Sequence, residues 1–240
     1  MLHVVDIAQQ LYFQQLFATM KKLDWGMEHE QHIVYGRMSF PDKSMSTRKG
    51  NILKLEEVLD EAVRRADTLV AERDSEVTGS ERRALAEMMG TGAVVFTILS
   101  QNRRHNLVFT WEKALTFEGM SGPYLQYTHA RARSVLRKAK VERAPRPKTV
   151  AALELQELRL IRILTQFPRV LEEARSDAMP HKLAQYLFAL CQEYNTFYGV
   201  LPILEAQGEQ RALRLALTEI TADVLKVGAE LLTMRVPSRM

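Results

Sequence analysis

The chain has 240 residues, of which 46% are hydrophobic and 26% charged, a balance that excludes a wholly disordered polymer. This length suffices for one large or two ordinary domains with a sizeable core. The formal net charge of +4 is compatible with a polyanionic partner and equally with an ordinary basic surface, so charge alone selects no function.

The single cysteine, Cys191, excludes an internal disulfide and follows an apolar run, so we expect a buried structural thiol. The sequence shows no secretory leader and no stretch of about 18 apolar residues. We therefore expect a cytoplasmic protein with no membrane partner.

The first forty residues predict an incomplete α/β unit. An apolar run at 2–6 is typical of a buried strand, a helix is expected over about 11–23, and a second β-like run covers 33–40. Two isolated strands cannot form a stable sheet core. We therefore expect the end of an α/β domain whose first half lies elsewhere, with an apolar sheet edge or face exposed where that half docks.

A short polar and cationic loop follows the second β-like run and precedes an acidic helical segment. Its residues are Ser44, Met45, Ser46, Thr47, Arg48, Lys49 and Gly50. Cations, hydroxyl groups and backbone N–H groups in such a loop can stabilise the negative charge that nucleotidyl transfer places on pyrophosphate. A basic loop that is merely solvated is the alternative on composition alone.

From residue 53 onward, apolar residues recur at helical spacing, which predicts a mainly helical body. A turn at 78–81 leads into a good helix start, and a break at 119–123 precedes a long amphipathic helix over about 124–140. A polar, proline-containing segment at 144–148 links this helix to the next one.

Tyr124, Tyr127 and Arg131 stand at positions i, i+3 and i+7 of the long helix and therefore share one face. Two aromatic rings and a guanidinium group suit unstacked RNA bases, because rings stack on bases and arginine contacts a base edge or a phosphate. The alternative is that the tyrosines are half-buried core residues with hydrated hydroxyl groups.

Two further groups of polar residues are less informative. Arg133, Arg137 and Lys140 are expected to form a second stripe on the same helix, suited to an RNA backbone or simply solvated. His29 and His32 lie three residues apart among glutamates, but no further ligand set accompanies them, so no metal site is predicted.

Several blocks of the sequence, in order, carry a family resemblance. They are Leu-His-Val-Val-Asp-Ile-Ala-Gln at 2–9, Met-Ser-Thr-Arg-Lys-Gly-Asn at 45–51, Phe-Glu-Gly-Met-Ser-Gly-Pro-Tyr-Leu-Gln-Tyr at 117–127, His-Ala-Arg at 129–131, Asn-Thr-Phe-Tyr at 195–198 and the closing segment 231–240. Over nearly its whole length the chain resembles the arginyl-tRNA synthetases, which are class I aminoacyl-tRNA synthetases.

The resemblance implies a ligase that joins arginine to its tRNA isoacceptors through arginyl-adenylate. ATP is then a substrate, Mg²⁺ is expected with the ATP, and no tightly bound cofactor is expected. Gln9 matches a residue that contacts bound arginine, since an amide oxygen accepts an N–H bond from a guanidinium; capping of local backbone is its commoner use. The loop 44–50 matches the segment that closes on ATP.

The resemblance also implies an anticodon pocket. The family lines that pocket with positions that match Tyr127, Arg131, Tyr198 and the C-terminal Met240. One departure concerns the loop, because class I enzymes usually carry lysine at the positions of Ser44 and Thr47. Lys43 and Lys49 are neighbouring cations, and the sequence assigns neither of them a role.

The predicted fold is mainly α. We expect residues 1–52 to be a short α/β remnant of a class I, Rossmann-type catalytic domain, residues 53–118 to be a helical connecting region that contacts the tRNA stem, and residues 119–240 to be an all-α anticodon-binding helix bundle.

No His-x-Gly-His motif, which class I synthetases use to bind ATP phosphates, occurs in the sequence. The chain therefore resembles the C-terminal part of an arginyl-tRNA synthetase: a truncated gene product, half of a split enzyme or an engineered fragment. Two functions stay open, namely part of an arginine–tRNA ligase that needs its N-terminal catalytic half, and a non-catalytic tRNA-binding module. The retained loop favours the first, and the absent histidine motif favours the second.

Overall fold

The structure is a computed structural model that describes residues 1–26, 30–41, 54–73, 77–149 and 152–240. It divides into two compact units. The first unit comprises Met1–Ile52 and Gln101–Thr110, and the second comprises Leu53–Ser100 and Trp111–Met240. The limits of the three predicted domains stay predictions, although the chain also divides between residues 52 and 53 in the structure, where the segment 101–110 joins the first unit.

Among the residues that the structure describes, the first unit contains two small parallel sheets and one long helix. Its elements are β1 (Leu2–Asp6), a 3₁₀ turn (Ile7–Gln9), α1 (Gln10–Lys22), β2 (Gln31–Tyr35), β3 (Met38–Ser39) and β4 (Leu107–Val108). β1 pairs with β2 so that Val4 lies opposite Ile33, and β3 pairs with β4. The strands and the helix predicted from the apolar pattern of this region are confirmed.

Helix α1 covers one face of the β1–β2 sheet. The buried ring of Phe13 stacks on His32, with ring centroids 4.3 Å apart, and lies 5.3 Å from the ring of His3. Because side chains alternate along a strand, Leu2 and Val4 point away from this helix, and they are 60% and 62% exposed. The predicted exposed apolar face is therefore present.

The second unit is helical apart from its connections. Its helices are α2 (Leu55–Arg73), α3 (Gly79–Leu99), α4 (Trp111–Ala114), α5 (Gly122–Lys138), α6 (Leu155–Leu164), α7 (Phe167–Ser176), α8 (Pro180–Val200) and α9 (Gly208–Leu231). Since the strands described for the first unit are short, the expected mainly α fold is confirmed.

Helix α5 begins where its sequence provides a cap and a close-packed glycine. The hydroxyl of Ser121 accepts a hydrogen bond from the backbone N–H of Tyr124 at 3.2 Å, and Pro123 occupies the first turn. A Cβ atom at Gly122 would lie 2.6 Å from the carbonyl oxygen of Gly92 on α3. Glycine therefore lets α5 start in direct contact with the backbone of α3.

The core of the second unit lies between α5, α6, α8 and α9. Leu187, Leu190 and Leu225 are fully buried there, as is Cys191, and burial raises the pKa of its thiol to about 12. The expectation of a buried structural cysteine is confirmed. Within the described residues, no helix is long and apolar enough to cross a membrane.

The long amphipathic helix differs from its predicted bounds of about 124–140. Helix α5 ends at Lys138, and Lys140 lies beyond it in the left-handed conformation with φ +56°. The N–H groups of Lys140 and Val141 donate to the carbonyls of Arg137 and Leu136, which closes the last turn. The prediction that Lys140 continues a helical stripe with Arg133 and Arg137 is therefore wrong.

Candidate nucleic-acid interface

A pocket of about 980 Å³ opens in the second unit between α3, α5, α8 and the C-terminal segment. We call it the bundle pocket, and define it by four residues that line it: Tyr127, Arg131, Tyr198 and Met240. The first two project from α5, Tyr198 from the end of α8, and Met240 from the tail, residues 232–240. The structure thus brings together four of the five predicted tRNA-contacting residues.

The guanidinium group of Arg131 lies between two aromatic rings. Its Cζ atom is 4.8 Å from the ring centroid of Tyr127 and 5.0 Å from that of Tyr198. Both distances fall within the range of cation–π attraction. Tyr198 is 41% exposed, so its ring is accessible from solvent.

A neutral side chain holds this guanidinium in place. Arg131 Nη1 donates to Asn195 Oδ1 at 2.5 Å, and Asn195 Nδ2 donates to the hydroxyl oxygens of Tyr124 and Thr128, each at 3.0 Å. Thr128 in turn donates to the carbonyl of Tyr124 at 2.9 Å. Because the acceptor is an amide and not a carboxylate, the charge of Arg131 is oriented without being neutralised.

Tyr124 is placed differently from the other predicted residues. Its half-buried ring packs against Phe188 on α8, with centroids 5.6 Å apart, and it does not line the bundle pocket. The seven residues that separate Tyr124 from Arg131 correspond to about 10 Å along the helix axis, and the amide of Asn195 bridges the two side chains. Tyr124 supports Arg131 through Asn195, and its contact with an anticodon base stays a prediction.

The aromatic and cationic pattern continues beyond the pocket. The ring of Phe117 lies edge-on to that of Tyr127, with centroids 6.3 Å apart, and Arg73 Cζ lies 3.7 Å from the centroid of Phe117. Phe117 precedes α5 in the chain and Arg73 ends α2. Two guanidinium groups therefore lie against aromatic rings in this region.

Sequence reasoning missed the residues that organise the pocket. Asn195 was part of a matched block but received no role, and its hydrogen bonds connect side chains 64 to 71 positions apart in the chain. Gln126 and His129 lie in matched blocks and receive no role from the sequence, yet both are buried and bind the tail. The available signal was their polarity on the buried side of an amphipathic helix.

In the first unit, Gln9 lies exposed in the 3₁₀ turn that follows β1. Nearby, the carboxylate of Asp6 accepts hydrogen bonds from the N–H of Ala8 and from Arg37 Nε, each at 2.7 Å. Both bonds lower the pKa of this carboxyl group, and the bond from Ala8 has the larger effect. Ligands of α/β proteins bind at this carboxyl end of parallel strands. The loop 44–50 and His29 lie outside the described residues.

Comparison with known proteins divides the chain differently from the two compact units, since the first family match takes in α2 and α3 of the second unit. The family described as tRNA synthetases class I (R), catalytic domain, matches residues 1–111, and the DALR anticodon binding domain matches residues 125–240. The arginine–tRNA ligase of Laribacter hongkongensis is 39% identical over 242 residues, and arginine–tRNA ligase 2 of Bacillus anthracis is 39% identical over 243. Each alignment covers 100% of this chain and 42% of the relative.

Solved structures agree in fold. The Thermus thermophilus arginyl-tRNA synthetase superimposes with a TM-score of 0.89 at 31% identity, and the alignment covers 100% of this chain and 41% of that one. The chain thus spans about two fifths of the length of the proteins it matches. Because the two family matches together take in nearly every residue of this chain and the relatives align to it along its whole length, the chain is similar throughout to part of an arginyl-tRNA synthetase.

Proposed function

We propose that this chain supplies the tRNA-anticodon-binding part, and the ATP-closing loop, of an arginine–tRNA ligase. The observation that carries the proposal is the guanidinium of Arg131, which lies between the rings of Tyr127 and Tyr198 and is held by the neutral Asn195. Stacking of a base on an aromatic ring contributes about 1–3 kcal/mol, and Tyr198 is 41% exposed.

Charge around the bundle pocket supports a polyanionic ligand. Four cationic side chains and two acidic side chains, Glu81 and Glu205, line the pocket. The cations are Arg131, Arg137, Lys138 and Arg239. A loop of unstacked nucleotides offers both components that this surface suits, bases for the rings and phosphates for the cations.

The catalytic contribution rests on the family and on the residues of the first unit. Gln9 contacts the arginine substrate, and the loop 44–50, with Lys43 and Lys49 as additional cations, closes on ATP; Mg²⁺ enters with the ATP as part of the substrate. A nucleotide-binding half, in cis or in trans, covers the exposed face of Leu2 and Val4 and supplies the histidine motif. Charging of tRNA for protein synthesis places such an enzyme in the cytoplasm.

A non-catalytic tRNA-binding module is the second candidate. The observation in its favour is that every residue lining the bundle pocket belongs to the second unit. RNA binding by that pocket therefore needs no residue of the α/β unit.

A titration of a fluorescent anticodon stem-loop of an arginine tRNA tests RNA binding. We expect weak binding that falls as salt rises. Arg131→Ala should lower the affinity about tenfold, and Arg131→Lys should recover only part of it, because lysine keeps the charge without the planar group that stacks. Arg175→Ala, which removes an equal charge from an exposed position on α7, is the matched control. Equal affinities for Arg131→Ala and Arg175→Ala would contradict the proposal.

Arginine-dependent ATP–pyrophosphate exchange separates the two functions. The chain alone should show no exchange, whereas addition of a family N-terminal catalytic half should restore it if the chain acts as part of a ligase. Exchange by the chain alone would contradict an incomplete active site. RNA binding without any exchange in the combined sample would select the non-catalytic module.

A further inference from the structure

The tail, residues 232–240, is bound along α5 through its main chain. Gln126 Nε2 donates to the carbonyl of Arg235 at 2.9 Å, and Arg137 Nη1 donates to the carbonyl of Ser238 at 2.6 Å. Between them, His129 Nδ1 lies 2.8 Å from the carbonyl oxygen of Pro237. Three side chains of one helix therefore bind three carbonyls of a nine-residue segment.

These three side chains follow one stripe of α5. At about 100° per residue, Gln126, His129 and Arg137 fall within about 80° of each other around the helix axis. The pocket residues Tyr127 and Arg131 occupy the adjoining stripe. A segment bound along the first stripe therefore ends beside the second, which is where Met240 enters the bundle pocket.

Gln126 is the most constrained of the three donors. Its side chain is fully buried, and its Nε2 also donates to the carbonyl of Met88 on α3 at 2.9 Å, so one amide joins α3, α5 and the tail. A Cβ atom at Gly92 would lie 2.7 Å from this nitrogen. The glycine leaves the space that the amide occupies, so two positions of the chain are adapted to this contact.

We propose that Gln126, His129 and Arg137 are positioning residues, which fix the register of the tail so that Met240 completes the wall of the bundle pocket against which an unstacked RNA base packs. The inference rests on the proposed RNA-binding function. Main-chain carbonyls accept the three bonds from α5, and the exposed ion pair of Arg235 with Glu87 on α3, at 2.8 Å, is a further contact of the tail. RNA affinity then depends on Gln126 and His129, although neither lines the pocket.

The position of the tail is measurable without RNA. The chain contains 11 methionines, and each gives a methyl signal in the NMR spectrum of protein labelled with [¹³C-methyl]methionine. The signal that is missing from the spectrum of Met240→Leu belongs to Met240. In Gln126→Leu and His129→Leu, this signal should move to the position of free methionine and sharpen, because the tail is released. In His129→Asn, which keeps a donor near the position of Nδ1, it should stay close to that of the unchanged chain.

Two controls separate release of the tail from loss of folding. Gln192→Leu makes the same chemical change at an exposed position of α8 and should leave the Met240 signal in place. The Cys191 thiol should stay unreactive in every variant, since it is accessible only when the core opens. If the thiol of a leucine variant reacts, that variant is partly unfolded. Arg137→Ala then takes its place in the methyl measurement, because Arg137 is exposed and its removal leaves the core intact.

The RNA measurement decides the functional part. Affinity for the anticodon stem-loop should fall about tenfold in His129→Leu, the loss typical of one removed base contact, and recover in His129→Asn. An unchanged methyl signal in Gln126→Leu and His129→Leu, or a released tail with unchanged RNA affinity, would overturn the proposal. If the unchanged chain binds no RNA, the proposed function fails, and the claim about the pocket wall fails with it. The methyl signal still decides separately whether the three donors set the tail register.

Discussion

The two units of this chain bury their apolar side chains to very different degrees. In the second unit, helical stripes meet around a closed core in which Leu187, Leu190 and Leu225 are fully buried. In the first unit, one face of a two-stranded sheet leaves Leu2 and Val4 more than half exposed. The second unit therefore has what an independently folded binding domain needs, whereas the sheet of the first has the surface of a structure that pairs with more protein.

The largest effect should come from the buried ion pair of the second unit. Arg214 Nε donates to Glu157 Oε1 at 2.7 Å, and the side chains are 4% and 1% exposed. Arg214→Met leaves a buried carboxylate without its partner and should lower the free energy of unfolding by about 3–5 kcal/mol in urea, followed by helical circular dichroism.

The surface pair of Arg175 and Glu172 provides the control for that experiment. Both side chains are exposed, and Arg175→Met should change the free energy of unfolding by less than about 1 kcal/mol. Similar losses for Arg214→Met and Arg175→Met would show that the closed core does not set the stability of the second unit.

A smaller loss of stability is expected when the contact between α3 and α5 is disturbed. Gly122→Ala places a methyl group against the backbone of Gly92 and should cost about 1–3 kcal/mol, measured in the same urea experiment. Gly199→Ala on α8 is the matched control, because a Cβ atom there meets nothing within 4 Å. An unaltered stability of Gly122→Ala would argue against close backbone packing at this crossing.

The pH dependence of the second unit should report His129. Burial, above all, lowers the pKa of this imidazole, with smaller contributions from Arg133 on α5 and Lys226 on α9, while the bond to the carbonyl of Pro237 opposes the shift. Because the folded state binds the proton less tightly, stability is highest above the unfolded pKa of about 6.5 and falls as the pH drops below it.

Unfolding at pH 7.5 and at pH 5.5 measures this effect. His129→Asn should reduce the loss of stability at the lower pH, whereas the exposed Gln192→Leu should leave it unchanged. An equal loss in both variants would assign the pH dependence to other groups.

The smallest effect is expected on the exposed sheet face of the first unit. Val4→Thr keeps the β-branched shape and should change the stability of this chain by less than about 0.5 kcal/mol, because the side chain is 62% exposed. With a catalytic half added, the same substitution should weaken association, measured by sedimentation. An unaltered association would remove this face from the proposed docking surface.

The sequence predicted features that depend on neighbours along the chain. Apolar periodicity placed β1, α1 and the helices of the second unit, and the polar break before Pro123 located the start of α5 to within two residues. The end of α5 was missed because Lys140 adopts a left-handed conformation, which favours glycine or asparagine and which the sequence therefore did not indicate.

The candidate site was only partly predictable for a related reason. Helical spacing put Tyr127 and Arg131 on one face, and the family resemblance added Tyr198 and Met240. Neither helical spacing nor the resemblance could show that Asn195 holds Arg131. That contact depends on how α5 and α8 pack against each other, and the apolar periodicity of each helix does not specify this packing.

The most direct test of the bundle pocket uses stem-loops that carry 2-aminopurine, whose fluorescence is quenched when it stacks on an aromatic ring. With the label in the anticodon, binding of the unchanged chain should change the fluorescence, and Tyr198→Leu should abolish much of that change. With the label in the stem, the fluorescence should change neither on binding of the unchanged chain nor on binding of Tyr198→Leu. A stem label that responds as strongly as an anticodon label, or an anticodon signal that Tyr198→Leu leaves intact, would contradict recognition of unstacked bases by this pocket.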